Sequence, residues 1–288
     1  MKFTTFLKDG KPRLGVVDGN ALIDLNEANP QVPSCLRAAL EAGVDLHAAA
    51  EAALSNQQPR IPLAEVQFAP LVPEPGKTIC LGLNYYDHAS ESGRDKPEYP
   101  WFFYRGKTSL MAHGQPGKLP RISERFDYEA ELAVVIGKKV PRHTKRDTAL
   151  DYVFGYSCFN DMSIRDYQKR TPQWTIGKNF DATGGLGPVL VTADELPAGA
   201  SGLRIQCRIN GEVVQDASTT DMIWSVAETI ELLAECLTLE PGDVIAMGTP
   251  AGVGQSRKPQ RWMKVGDSVE VEIERVGVLL NPIEAEEV

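Results

Sequence analysis

The sequence predicts an α+β protein that is mostly β, with a small β-rich N-terminal domain over residues 1–70 and a larger α+β domain over residues 71–288. Three observations carry this reading. Short β-forming runs outnumber helical patterns without alternating with them, Asp-Gly and Asn-Gly pairs separate several of the runs, and one Pro-rich stretch divides the chain.

In the N-terminal part, residues 3–7, 14–17 and 21–25 form apolar runs separated by Asp9-Gly10 and Asp18-Gly19-Asn20. Such pairs are the strongest short-range hairpin signal, so a β-meander is expected. Two short helices follow, near residues 33–42 and 46–54, the first with Pro33 at its start and Gly43 just past its end. Residues 70–76, with three prolines and a closing glycine, cannot hold regular structure and read as the domain linker. Beyond it, residues 78–82, 101–104, 129–137, 153–159, 188–192, 203–209, 212–215, 243–247 and 268–273 read as strands, with a hairpin at Asn210-Gly211. One long helix is expected over residues 221–236, with Thr220 as its candidate cap and Ile223, Val226, Ile230 and Leu233 on one face.

A chain of 288 residues can bury a sizeable core. The net charge of −9 argues against a nucleic-acid surface or an anionic membrane as partner, while local cations leave room for a small anionic substrate. The five cysteines are odd in number, widely spaced and mostly set in apolar runs, as reduced thiols are. No signal-like apolar core follows Met1, and no stretch is long and apolar enough to span a bilayer. The expectation is a cytoplasmic protein.

Glu129 and Glu131 lie in the β-forming run of residues 129–137, and a side-chain period of two sends both to one face. Two half-buried like charges are unfavourable unless one takes a proton or a cation sits between them. Asp161, at the end of the next β-like run, would complete a three-oxygen site suited to Mg²⁺ or Mn²⁺. Zinc is disfavoured, because His47, His88, His113 and His143 are scattered and neither HExxH nor CxxC occurs. The alternative is a solvated strand face, with Ala130, Leu132, Val134 and Ile136 turned to the core. Residues 84–93 read as a short helix, on which His88 and Glu91 are neighbours three residues apart. A carboxylate beside an imidazole prepares it to take a proton; a surface charge pair is the competing reading. The glycine-rich residues 182–187 and 248–254 match neither a dinucleotide nor a phosphate-loop pattern, and are expected to let backbone N–H groups approach a small ligand.

Over residues 70–283 these segments together resemble the fumarylacetoacetate hydrolase family, and the first seventy residues are similar to the accessory domain many members carry. The matching motifs are Asp127-Tyr128-Glu129-Ala130-Glu131, Asn160-Asp161-Met162-Ser163-Ile164-Arg165 through Gln168, Gly177-Lys178-Asn179-Phe180-Asp181, residues 248–254, and the His-Glu segment of residues 84–93. The resemblance implies a catalytic domain of mixed sheets with a β-roll, and Glu129, Glu131 and Asp161 holding Mg²⁺ or Mn²⁺. It implies His88 backed by Glu91 as the base and Lys178 as the cation at a developing oxyanion, with Arg165, Gln168, Thr249 and Tyr85 binding substrate. Animal-type members carry a fourth carboxylate ahead of the histidine; residues 79–83 offer none here, so three protein ligands are expected. Where the family often shows Lys-Pro, this chain has Arg105-Gly106-Lys107, leaving open whether Arg105 or Lys107 meets substrate.

The implied activity is metal-dependent C–C hydrolysis of 2,4-dioxo acids, acylpyruvates such as fumarylpyruvate or maleylpyruvate, in aromatic compound catabolism. Such acids can chelate the metal through carboxylate and 2-oxo oxygens, and magnesium, acidifying water less than zinc does, calls for a separate base. Isomerisation, tautomerisation or decarboxylation of 2-hydroxy-diene dioates or oxaloacetate passes through the same type of enolate and is the alternative. A non-catalytic 2-oxo acid binding protein is the second. A homodimer formed mainly by the C-terminal domain is expected, as is a mobile lid over residues 84–100, on account of Gly93, Pro97 and Pro100.

Overall fold

The computed structural model describes residues 1–91, Gly93 and residues 95–287. Among these, an eleven-stranded sheet runs in the order Ile61–Pro62, Ala21–Asp24, Lys11–Asp18, Lys2–Lys8, Gly184–Thr192, Val153–Asp161, Ala130–Ile136, Val244–Ala246, Thr78–Gly82 and Trp101–Tyr104, with Leu110–Met111 beside Gly184–Thr192. A five-stranded sheet, Glu212–Ser218, Arg204–Ile209, Ser268–Ile273, Gly277–Ala285 and Gly117–Leu119, covers part of one face. The large sheet is mixed: Val244–Ala246 runs parallel to Thr78–Gly82 but antiparallel to Ala130–Ile136. The fold is therefore α+β and mostly β, as the strand-rich pattern predicts.

Both short-loop signals behave as their chemistry requires. Asp9 and Gly10 take φ of 52° and 72°, and Asn210 and Gly211 take 53° and 80°, the double left-handed geometry of a two-residue hairpin. Lys8 consequently faces Lys11, and Ile209 faces Glu212. The N-terminal meander is hydrogen-bonded into the large sheet, because Lys2 and Phe3 pair with Val191 and Leu190.

The strand Ala130–Ile136 is central and buried on both faces. Leu132, Val134 and Ile136 pack in the core shared with Ile205, Val269 and Val271 of the five-stranded sheet. Ala133 and Val135 point the opposite way, into a second core with Phe3, Leu14 and the helices Leu36–Glu41 and Leu46–Ser55. A solvated face for Glu129 and Glu131 is overturned, because both are buried, beside a cavity whose other lining residues include Phe103, Trp174 and Lys178, cover that a local pattern does not reveal.

Three further expectations change. The long helix begins at Val226 rather than Asp221, because Ser225 and Glu228 form a reciprocal capping box while Thr219–Asp221 is a separate 3₁₀ turn. Ser225→Ala is expected to lower unfolding free energy by about 1 kcal/mol in urea titrations, and Thr220→Ala to leave it within about 0.5 kcal/mol. The glycines at 184–187 belong to a strand instead of a ligand loop, with Gly184 and Gly185 opposite Asp161 and Asn160. Gly277–Ala285, which carries Asn281 and Pro282, is a strand that its polar composition hides. The expected lid includes Ser92 and Arg94, which lie outside the described residues. No helix among the described residues is long and apolar enough to cross a membrane.

Candidate active site

Strand register assembles the acidic cluster. In the antiparallel pair of Ala130–Ile136 with Val153–Asp161, Ala130 faces Asn160 and Glu131 faces Phe159. One step further the Asp161 N–H donates to the Glu129 carbonyl at 2.9 Å, while the Asn160 Oδ1 accepts from the Glu129 N–H at 3.1 Å. Glu129, Glu131 and Asp161 therefore leave one face, are all buried, and offer one oxygen each within 4.8 Å of the others.

Cations gather around this cluster unevenly. Lys178 lies between Glu129 and Asp161 and pairs with both. Arg165 pairs with Glu129 at 2.6 Å and with Asp127 at 2.7 Å, and Arg105 pairs with Asp161 from behind. Among the described residues, Glu131 alone of the three has no ion-pair partner; its Oε2 accepts the Gly248 N–H at 2.9 Å. Burial, then the charges of Asp161 and Glu129, push its pKa well above the ordinary carboxylate range. Burial acts the same way on Glu129, but Arg165 and Lys178 outweigh it and hold that carboxyl low. Burial also works against the Lys178 ammonium, and Asp161 and Glu129 more than restore it. Two neighbouring carboxyls driven apart in this way mark a site needing one more positive charge. An all-oxygen donor set with an uncompensated carboxylate fits a hard divalent cation.

The cluster opens into a cavity of about 230 Å³ lined by Glu129, Glu131, Arg165, Gln168, Lys178, Thr249 and His88, among others. His88 and Glu91 sit on the helix Tyr86–Glu91, where His88 Nδ1 meets Glu91 Oε1 at 2.8 Å. Because the carboxylate accepts, Nδ1 carries the proton and Nε2 is the basic nitrogen. Glu91 Oε2 also accepts the Gly252 N–H at 3.0 Å, tying the helix to the glycine-rich loop. Gly254 N–H likewise donates to Asp127 at 2.7 Å. Those loop amides thus serve acids of the site, one of them, Asp127, fully buried. Thr249 Oγ1 accepts from Gln215 Nε2 at 2.8 Å, and Gln168 Oε1 accepts from Arg165 Nη1 at 3.0 Å.

Tyr85 is not among the residues lining this cavity. It lines a neighbouring one with Tyr86, Asp87, Asp221 and Pro250. Lys107 is exposed and pairs with Glu74. Arg105 is buried behind Asp161 and also donates to the Met162 carbonyl at 2.5 Å, so it positions a carboxylate. Arg105→Ala would strand that acid in the interior, and a loss of about 3–5 kcal/mol in denaturant unfolding is expected.

Sequence reasoning left Asp127 and Gln215 without roles. Asp127 joins Arg165 to the 254–255 loop, and Gln215 joins Thr249 to the Ala130 amide. Asp127 opens the acidic motif and is its only available signal; for Gln215, which arrives from the other sheet, there is none.

Comparison with known proteins agrees with this geometry. The model of the fumarylacetoacetate (FAA) hydrolase C-terminal domain matches residues 77–284. The chain belongs to the fumarylacetoacetate hydrolase family. Within and around that family, human oxaloacetate tautomerase FAHD2A, mitochondrial, is 41% identical over 276 residues, covering 94% of this chain and 87% of that protein. Fumarylacetoacetate hydrolase from psychrophilic Exiguobacterium antarcticum superposes with a TM-score of 0.85 at 34% identity, over 99% of this chain and all (100%) of that one. Maleylpyruvate hydrolase from Sphingobium sp. SYK-6, in complex with manganese(II) ion and pyruvate, has a TM-score of 0.82 at 31% identity, with 100% of both chains covered. The manganese(II) in that maleylpyruvate hydrolase and the buried acidic triad of this chain both point to a divalent metal.

Proposed function

We propose that this protein is a Mg²⁺- or Mn²⁺-dependent tautomerase of oxaloacetate or a similarly compact 2-oxo dicarboxylic acid. The observation that carries the reading is the cavity itself, where a proton-accepting imidazole, a buried ammonium and a metal-suited carboxylate triad line or border about 230 Å³. That volume is below the usual range for drug-sized ligands, as a four-carbon acid would need. Likeness to oxaloacetate tautomerases over nearly the whole chain supports the same choice.

Glu129, Glu131 and Asp161 would hold the metal, which when bound supplies Lewis-acid stabilisation of negative charge on the 2-oxo oxygen. His88 Nε2 takes the proton from the carbon next to the oxo group and passes it to the enolate oxygen, the reverse transfer turning enol into oxo acid, while Glu91 on Nδ1 orients the ring and stabilises its protonated form. Lys178 adds positive charge where the enolate oxygen develops. Arg165 and Gln168 form the polar wall against which substrate oxygens rest, with Thr249 offering a hydroxyl.

A second reading, hydrolysis of acylpyruvates, is favoured by one specific observation: the His88–Glu91 pair is equally suited to activating water, and the maleylpyruvate hydrolase likeness is strong. Ultraviolet spectroscopy separates the two. Enol-oxaloacetate decay should accelerate with enzyme and Mn²⁺ and return to the uncatalysed rate with chelator. Unchanged decay, together with cleavage of maleylpyruvate or fumarylpyruvate, would replace the first reading with the second. The proposal includes a homodimer, supported by the exposed Trp101 and Tyr104 on an edge strand; light scattering at the mass of a single 31.5 kDa chain would count against it.

A further inference from the structure

The cavity has a charged floor and an aromatic mouth. Glu129, Glu131, Arg165 and Lys178 are buried, whereas Trp174 is half-buried and Trp101, beside it, is exposed. Trp174 precedes the helix Thr175–Lys178, so the wall at the mouth and the ammonium on the floor sit on one short segment.

Its indole is held in one place. A Cβ at position 82 would lie 2.1 Å from Trp174 Cζ3 and 2.6 Å from Cη2, so the ring occupies space that only glycine leaves free. Phe103 meets the ring edge-on, with centroids 5.7 Å apart and planes at 65°, and Trp101 packs at 5.2 Å and 46°. Gly82 and Phe103 also line the cavity. A large side chain pinned by a glycine and two aromatic neighbours yields little to a ligand that pushes against it.

From this geometry we infer that Trp174 is a specificity-determining residue, limiting how far a 2-oxo acid extends beyond its reacting end. The inference rests on the proposed reading, in which the 2-oxo and carboxylate oxygens face the floor. The remaining carbons then project towards the mouth and meet the indole. Compact acids fit, and longer acyl chains are rejected by the ring. Rejection by an apolar wall runs at about 10–200-fold for each methylene that does not fit.

Binding, read without turnover, tests this. Pyruvate, 2-oxobutanoate, 2-oxopentanoate and 2-oxohexanoate are titrated against the full chain with Mn²⁺, and affinities are taken from the rise in melting temperature. In the wild type, affinity should drop by at least about 10-fold at the chain length where the wall is met. In Trp174→Ala that drop should vanish, with pyruvate binding little changed. Trp174→Leu, which keeps apolar cover over Gly82, should move the drop to a longer acid and serves where alanine unsettles the fold. An unaltered length profile in both variants overturns the inference while leaving the proposed function intact. If no acid of the series binds the wild type, the reading of the floor fails and the inference falls with it.

Discussion

Replacing Glu131 with alanine is expected to abolish metal-dependent turnover together with the rise in melting temperature that Mn²⁺ gives the wild-type protein. Of the three clustered carboxylates, Glu131 is the one with no ion-pair partner among the described residues, so it is the part of the site that a metal answers most directly. A ligand at a hundred times its dissociation constant stabilises the folded state by about 2.7 kcal/mol, and that increment should disappear. The isosteric Glu131→Gln carries a second, opposite expectation. With chelator present it should melt above the wild type, because the penalty of burying an ionisable carboxyl beside Asp161 and Glu129 is gone. Calorimetry with and without Mn²⁺ reads both effects. A Glu131→Ala protein that still gained stability from Mn²⁺ and turned over normally would mean that the metal binds elsewhere.

His88→Ala should cost about 10²–10⁴-fold in turnover, the usual scale of a positioned general base, while the Mn²⁺-induced shift in melting temperature persists. The imidazole touches the cavity but is separate from the acidic triad, so loss of catalysis and loss of metal become separable. Glu91→Gln retains a hydrogen-bond acceptor for Nδ1 and should lose less. Wild-type rates in His88→Ala would move proton transfer to another group, such as Lys178 of the same cavity.

Local geometry made part of this site legible. A period of two is enough to place Glu129 and Glu131 on one face, a three-residue helical spacing is enough to pair His88 with Glu91, and Asp-Gly and Asn-Gly dictate their own turns. What escaped was set by distant chain. The same alternation that aligns two glutamates reads equally as a solvated face, and only packing from distant residues such as Phe103, Trp174 and Lys178 decides between them. Arg105 lies 56 positions from Asp161, and Trp174 is shaped by Gly82 at the end of a distant strand, so neither role leaves a trace in its own neighbourhood. Thr220 failed as a cap because Ser225, with Glu228 three residues on, satisfies the helix start on its own. Tyr85 shared a segment with His88 yet lines a different cavity, a difference that sequence proximity does not express.

The central strand Ala130–Ile136 is hydrogen-bonded on both edges and buried on both faces. Its amides should exchange with deuterium only when the whole molecule opens, so local fraying offers no path into or out of the acidic triad. On the proposed reading, ions would enter through the cavity lined by Lys178 and Trp174, and the rates at which metal is loaded and stripped should depend on that passage as well as on how strongly the three carboxylates hold it.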